Sequence, residues 1–388
     1  MRITKVCPDG DLDQFGGRAM IVKTDRGTFK TPHRVLTSQE FQYKANLPFE
    51  PPLNNEISEV VAQFNRTNWG KFMNTNGSFN RRLGTIEFFS DKMAYTIKRF
   101  YPQLPSDVML DDTAIKQLLE LQRMSDLDFI AIPNLPSGIR DFDKIVTSFA
   151  EEVLSERREP LIYLDMGLEP PVFRERFMTL LSHSDIDTDH IHTVGLIYRP
   201  IRKNILNYRL LWENRESSVF FQMSYIPREF TRTTAASTMH LLQKWGIDSF
   251  SVRAGNYVPS KPLENDGREP LPKSEVLRRT KRFDPEPLAF RQFHTWVDRG
   301  DMLNCSCPVC KDKTVDDFIS TYSSEAESYP CQIFNAANRL HEYYCSSDEF
   351  KTSRDYIRTG ELSEYFKTRE GLRKSDLPVQ LSLDTWTG

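Results

Sequence analysis

From Phe129 to Val252, short apolar runs alternate with stretches of helical spacing. Phe129-Ile-Ala-Ile-Pro133 closes on a turn at Asn134-Leu-Pro-Ser-Gly138. Between Phe142 and Arg157, residues Ile145, Phe149 and Val153 recur on one helical face. Pro160-Leu-Ile-Tyr-Leu-Asp165 breaks at Met166-Gly167, and Phe173, Phe177 and Leu180 mark the next helix. The runs His192 to Tyr198 and Ser218 to Tyr225 read as strands. A helix from about Arg232 to Trp245 then leads into the strand Gly246 to Val252. Strands that are apolar at successive positions bury both faces, so this alternation predicts a parallel sheet covered by helices.

At least five such strands suit a (β/α)8 TIM barrel of the α/β class better than a small open sheet. A doubly wound sheet is the competing expectation, but no Gly-rich dinucleotide motif or Walker phosphate loop supports it. In a barrel, chemistry gathers where strands end and loops begin. Asp165, Tyr198, Arg199, Ser224, Tyr225 and Ser251 to Arg253 occupy those positions. The expected layout is a barrel with its N-terminal extension over 1–300, a metal-binding subdomain over 301–350, and a C-terminal helical segment over 351–388.

Composition narrows this picture only slightly. The 388 residues carry 51 basic and 54 acidic side chains, a net charge of −3, so any polyanion must be met by a local patch. Candidate patches are Arg199, Arg202 and Lys203, and further on Arg278, Arg279, Lys281 and Arg282. The N-terminus leads into polar sequence, no apolar run is long enough to span a bilayer, and six cysteines suggest a reducing compartment. Cytoplasmic location without membrane attachment is the expectation.

Three of those cysteines fall in Cys305-Ser306-Cys307-Pro308-Val309-Cys310. Thiolates at this spacing can converge on one cation, and His341 on a later helical stretch can complete a tetrahedron, as in a structural zinc site. Cys331 and Cys345 are rival fourth ligands. Cys345 lies one helical turn beyond His341, so one face can present both. His183, His190 and His192, interspersed with Asp185, Asp187 and Asp189, read as a polar loop rather than a second metal site. The order lacks the glycine and distal glutamate of a calcium loop.

A barrel followed by C-x-C-P-x-C and a helical histidine resembles the tRNA-guanine transglycosylase family. The resemblance implies structural Zn2+ on Cys305, Cys307, Cys310 and His341. Gly27-Thr-Phe-Lys-Thr31-Pro32 resembles the family's early G-x-x-x-T-P segment, and Trp245 to Ser251 its nucleophile strand. Other segments depart from the pattern. The D-S-G-G-F-Q motif has its nearest counterpart in Phe89-Ser90-Asp91-Lys92-Met93, making Asp91 the expected acid/base. Ser251 stands where an aspartate is expected, which leaves Asp248 as the expected nucleophile and Asp165, ending an apolar strand just before Gly167, as the reserve candidate. The base-reading loops reduce to Asp165-Met166-Gly167 and Gly195-Leu196, while Arg253 and Asn256 replace the tRNA-enzyme loop.

These departures resemble the divergent DpdA-type branch, which places 7-deazaguanine bases into DNA. The resemblance then implies a pentosyltransferase with DNA and a 7-deazaguanine base, for example 7-cyano-7-deazaguanine, as substrates. It implies a covalent sugar–enzyme intermediate and base contacts from Asp165, Gly167, Tyr198 and Arg253. Other DNA-modification proteins and a homodimer are the partners it suggests. The competing expectations are a tRNA-acting transglycosylase and a catalytically silent nucleic-acid-binding paralogue.

Overall fold

The first strands stand apart from the alternating pattern. In the computed structural model, β1 (Ile3–Pro8), β2 (Met20–Thr24) and β3 (Gly27–Lys30) form an antiparallel sheet. The structure describes residues 2–10, 16–45, 47–49, 53, 57–92, 97–104, 110–139, 141–184, 191–230, 235–253, 272–297, 300, 302–323 and 332–374. Among them, no helix is long and apolar enough to cross a membrane.

Among the described residues nine short strands follow, all parallel to their neighbours: β4 (His33–Arg34), β5 (Leu36–Thr37), β6 (Ile57–Gln63), β7 (Ile97–Gln103), β8 (Phe129–Ile132), β9 (Glu159–Asp165), β10 (Thr193–Ile197), β11 (Phe220–Ile226) and β12 (Ser249–Val252). They pair as a six-stranded sheet β4-β12-β11-β10-β9-β8 and a three-stranded sheet β5-β6-β7. The two sheets adjoin at both sides. Only Val35 separates β4 from β5, and its N–H donates to Phe250 O at 3.0 Å. At the other side the Asp128 N–H donates to Lys98 O at 3.0 Å.

Helices connect most of the strands; those expected over 142–157 and through Phe173 to Leu180 are present, whereas the helix expected from about Arg232 to Trp245 is reduced to Thr238–Leu242 and a 3-10 turn over Gln243–Trp245. The helices are α1 (Ser38–Ala45), α2 (Arg66–Asn74), α3 (Asn76–Lys92), α4 (Asp112–Arg123), α5 (Phe142–Ser155), α6 (Pro170–Ser182), α7 (Ile205–Glu213) and α8 (Thr238–Leu242). Phe149 and Val153 of α5, and Phe173, Phe177 and Leu180 of α6, lie buried in the layer between strands and helices. Strand interiors therefore carry one apolar face toward the helices and a second toward the space between the sheets.

That inner face is plugged at one end. Ile3, Val6, Met20, Val22 and Phe29 of the antiparallel sheet pack on Ile57, Ile97, Phe129 and Phe220, each the first residue of its parallel strand. The Ile3 N–H donates to Glu159 at the start of β9. The N-terminal ends of the strands are thereby covered, which leaves their C-terminal ends for function.

Asp248 lies at this plugged end, just before β12. Its Oδ1 accepts from Arg18 Nε at 2.9 Å and Thr31 Oγ1 at 3.0 Å, and its Oδ2 from the Phe221 N–H at 2.7 Å. Arg18 Nη2 is 2.8 Å from Oδ2, and both side chains are buried. The expected nucleophile is instead a strap tying the N-terminal segment to β11 and β12. Its lone pairs are engaged, and it sits at the opposite end of the sheet from the C-terminal strand ends.

The rest of the chain comprises α9 (Lys273–Arg278), the antiparallel hairpin β13 (Lys281–Asp284) and β14 (Ala289–Gln292), α10 (Val315–Tyr322), α11 (Gln332–Arg358), α12 (Leu362–Thr368) and α13 (Glu370–Arg373). The expected boundary at 350/351 falls inside α11, which continues unbroken to Arg358. Near its end, Arg354 donates to the carbonyls of Lys30, Thr31 and Pro32. Phe350 stacks on Phe250 of β12, ring centroids 4.8 Å apart. Removing one partner of a buried ion pair leaves the other charge uncompensated, so Asp248→Ala should destabilise the fold by about 3–5 kcal/mol. Equilibrium urea unfolding measures this; a loss below about 1 kcal/mol would contradict the strap.

Candidate metal centre and strand-end site

The cysteine–histidine cluster is built by a tight loop and one helix. The Leu303 N–H bonds to Lys313 O at 2.8 Å and closes the neck of the cysteine loop. Within it, the N–H groups of Cys310 and Lys311 both donate to Cys307 O, a turn that Pro308 preorganises. Tyr322 of α10 donates to Val309 O at 2.9 Å, pinning the loop to a helix that begins on the Thr314 capping box. His341 arrives from α11.

The ligand atoms of Cys305, Cys307, Cys310 and His341 all lie within 4.8 Å of one another. His341 Nδ1 is 3.5, 3.4 and 3.3 Å from the three sulfurs in turn. A tetrahedron with zinc–ligand lengths has S···N edges of about 3.5 Å, so this donor set fits a small tetrahedral ion such as zinc. His341 Nε2 lies 2.7 Å from Phe283 O, a contact that directs Nδ1 toward the sulfurs. Hydrogen bonds from the Cys307, Cys310 and Cys345 thiols hold the Cys305 thiol well below its usual range, while burial holds the Cys310 thiol well above it, so further thiol protons must leave as an ion binds. Of the rival ligands, Cys345 Sγ lies 3.4 Å from His341 Nδ1 and 3.5 Å from Cys305 Sγ, at the edge of the cluster. Cys331 is outside the described residues.

Arg282, expected on a phosphate-binding surface, is buried against this centre instead. It donates to Cys310 Sγ, and its guanidinium lies over the rings of Phe318, Phe293 and Trp296 at 4.3, 4.8 and 5.2 Å. Three thiolates and a divalent ion carry one net negative charge, which this guanidinium balances. The neighbouring cations are also engaged: Arg278 with Asp316, Arg279 with Glu275, and Lys281 with Glu229. By contrast, Arg202 and Lys203 are exposed just past the end of β10.

A second constellation occupies the C-terminal strand ends. Asp165 ends β9, and Arg199 clamps it with Nε 2.8 Å from Oδ1 and Nη2 2.5 Å from Oδ2. The Gly167 N–H donates to Asp165 Oδ1 at 2.7 Å; a Cβ at Gly167 would come within 3.1 Å of both Arg199 and Asp165. Arg253, past the end of β12, lies 4.6 Å over the ring of Tyr225. Gln103 Nε2 is 3.5 Å from Tyr225 Oη, and Tyr101 lies beside Tyr225 and Tyr163. Tyr225 adopts φ 67°, and the β11–β12 register shifts between Met223 and Ile226. A left-handed aromatic residue at a bulge is strained, and such strain clusters at binding sites.

Beneath this rim lies Glu59, fully buried in β6. Oε2 accepts from Gln222 Nε2 at 2.5 Å and Ser224 Oγ at 2.9 Å, and Oε1 accepts from Ser251 Oγ at 2.5 Å. Tyr163 Oη is 3.5 Å away. Its register partner on β7 is Arg99, likewise buried, whose burial pulls its pKa down to about 10. Glu59 and Arg99 escaped the sequence reading because they interrupt the apolar runs by which strands were found.

The other expected site residues are scattered. Tyr198 is buried among core residues on the opposite strand face, where burial pushes its phenol up to about 12. Asp91, the expected acid/base, falls in the last turn of α3, and its side chain lies outside the described residues. Asn256, Asp185, Asp187, Asp189 and His190 are also outside them. His183 pairs with Asp143 at 2.7 Å. No protein-family model matches the chain, and no curated protein matches it. Stripping zinc-loaded protein with a strong chelator should speed amide exchange across the cysteine loop and α11 while leaving β9 and β10 protected. Mass-resolved hydrogen exchange measures this; uniform protection after metal loss would contradict a structural role.

Proposed function

We propose that the chain is a DNA-guanine transglycosylase, exchanging guanine in DNA for a 7-deazaguanine base, with the two parallel sheets closing into one (β/α)8 barrel. The Cys3His cluster carries this reading. Such a donor set, following a parallel α/β unit, is the most specific feature the chain shares with the transglycosylases. Zn2+ on Cys305, Cys307, Cys310 and His341 would brace the structure and take no part in the exchange.

The chemistry needs carboxylates facing one chamber, and those roles pass from Asp248 and Asp91 to Asp165 and Glu59. Asp165, partly exposed at the rim, attacks the sugar C1′ as the bond to guanine breaks and its electron pair leaves with the base. The departing base takes a proton at the nitrogen it frees. That proton is drawn from solvent at the rim and passed on by Glu59 through the hydroxyls of Ser224 and Ser251, and the proton that the incoming deazaguanine releases returns by the same route. Reversal with an incoming deazaguanine regenerates the carboxylate. Tyr225 and Arg253 form a face on which an extruded base can stack. Arg199 must loosen its hold on Asp165 as substrate enters, since a clamped carboxylate is a weak nucleophile.

A silent nucleic-acid-binding paralogue is the second reading, favoured by Ser251 standing hydrogen-bonded at the expected aspartate position. Incubation with DNA and 7-cyano-7-deazaguanine, followed by mass analysis of digested nucleosides, separates the two. Modified nucleoside is expected from the wild type, and Asp165→Asn should lower its rate by roughly a thousandfold or more. Exchange into tRNA alone selects the tRNA-acting alternative, and exchange into neither selects silence. For DNA affinity, replacing both Arg202 and Lys203 by Ala should flatten the log–log salt dependence by roughly 1.4–1.8, whereas Arg279→Ala should leave it unchanged. Equal slopes in all three proteins would place the phosphate contacts elsewhere.

A further inference from the structure

We propose that Cys345 is a reserve metal ligand, able to exchange with His341 so that the centre has both a three-thiolate, one-imidazole state and an all-thiolate state. The inference rests on the cluster holding a divalent ion and is independent of what the strand-end site does.

Five donor side chains converge where a tetrahedral ion needs four. Cys345 sits one turn beyond His341 on α11, so both project from the same helix face. Its sulfur is buried, 3.5 Å from Cys305 Sγ and 3.4 Å from His341 Nδ1. Substitution therefore requires rotation of two side chains and no displacement of the helix. His341 also keeps a partner when it leaves the ion, because its other ring nitrogen lies 2.7 Å from Phe283 O.

The exchange balances. The metal–Nδ1 bond breaks and a metal–sulfur bond to Cys345 forms. The thiol proton passes to the freed Nδ1 across the 3.4 Å contact. An imidazolium then faces a fourth thiolate, and the net charge of the buried assembly, Arg282 included, does not change. Charge conservation matters here because a buried centre left with an extra negative charge would be strongly penalised. His341 is the resting ligand because it completes the mutual cluster, whereas Cys345 contacts that cluster at one edge.

Full-length protein loaded with cobalt(II) tests the proposal through its thiolate-to-metal charge-transfer absorption, which grows with each added sulfur ligand. Wild type and Cys345→Ala should show the same three-thiolate spectrum. His341→Ala, which lacks the imidazolium that offsets the fourth thiolate, should bind one equivalent more weakly than the wild type but with a stronger, four-thiolate spectrum, and the double variant should lose its metal on dialysis. His341→Ala binding no better than the double variant would overturn the proposal, as would a Cys345→Ala spectrum short of one thiolate. Should His341→Ala not fold, zinc release to a competing chelator decides. Cys345→Ala should release zinc roughly tenfold faster than wild type, about 1.4 kcal/mol in barrier; equal rates would sink the idea. Failure of the wild type to bind any metal would instead overturn the metal centre itself.

Discussion

A single helix ties the two ends of this molecule's architecture together, and the cysteine cluster sets where that helix lies. His341 enters the cluster from the middle of α11. About two turns on, Phe350 stacks against Phe250 of β12, and Arg354 then grips three successive carbonyls ahead of β4. A metal ion at the cluster would fix the helix in rotation and along its axis, and through it the seam where β4 meets β12. The loop around Cys305 to Cys310 is too small to bury a core of its own. It is held by Arg282 and the surrounding Phe293, Trp296 and Phe318, and a bound ion would brace it further.

The two ends of the parallel strands are built for different purposes. At the N-terminal ends, the antiparallel sheet and the Arg18–Asp248 pair fill the interior with apolar side chains and saturated polar groups. At the C-terminal ends, polar groups multiply: Asp165 with Arg199 at the rim, Tyr225 at a bulge, and Glu59 below, bonded to side chains from three other strands. Burying Glu59 among hydroxyls and amides demands good geometry from all of them. That requirement explains why Gln222, Ser224 and Ser251, polar residues inside otherwise apolar strands, converge on one carboxylate.

Much of the fold was legible because strands β8 to β11 are largely apolar runs, separated by helices with an apolar face. Strands β6 and β7 were not, since Glu59, Lys98 and Arg99 break the pattern that marks a buried strand. The cysteine cluster was legible because its donors are chemically distinctive and closely spaced. Asp248 misled for a physical reason: a carboxylate before a strand reads the same whether it serves a reaction or a buried guanidinium, and Arg18 lies too far away in sequence to reveal the pairing. Arg282 misled similarly. Charge in a basic run suggests an exposed face, yet this guanidinium is enclosed by aromatic rings beside a sulfur. Tyr198 differs from Asp165 only in which strand face it occupies, and a shift of one residue exchanges core for site.

The most direct test of the account is X-ray absorption at the zinc edge of the protein as purified. The account predicts one ion per chain with three sulfur ligands at about 2.3 Å and one nitrogen at about 2.0 Å. A shell of oxygen and nitrogen alone, or protein that carries no bound ion, would contradict it.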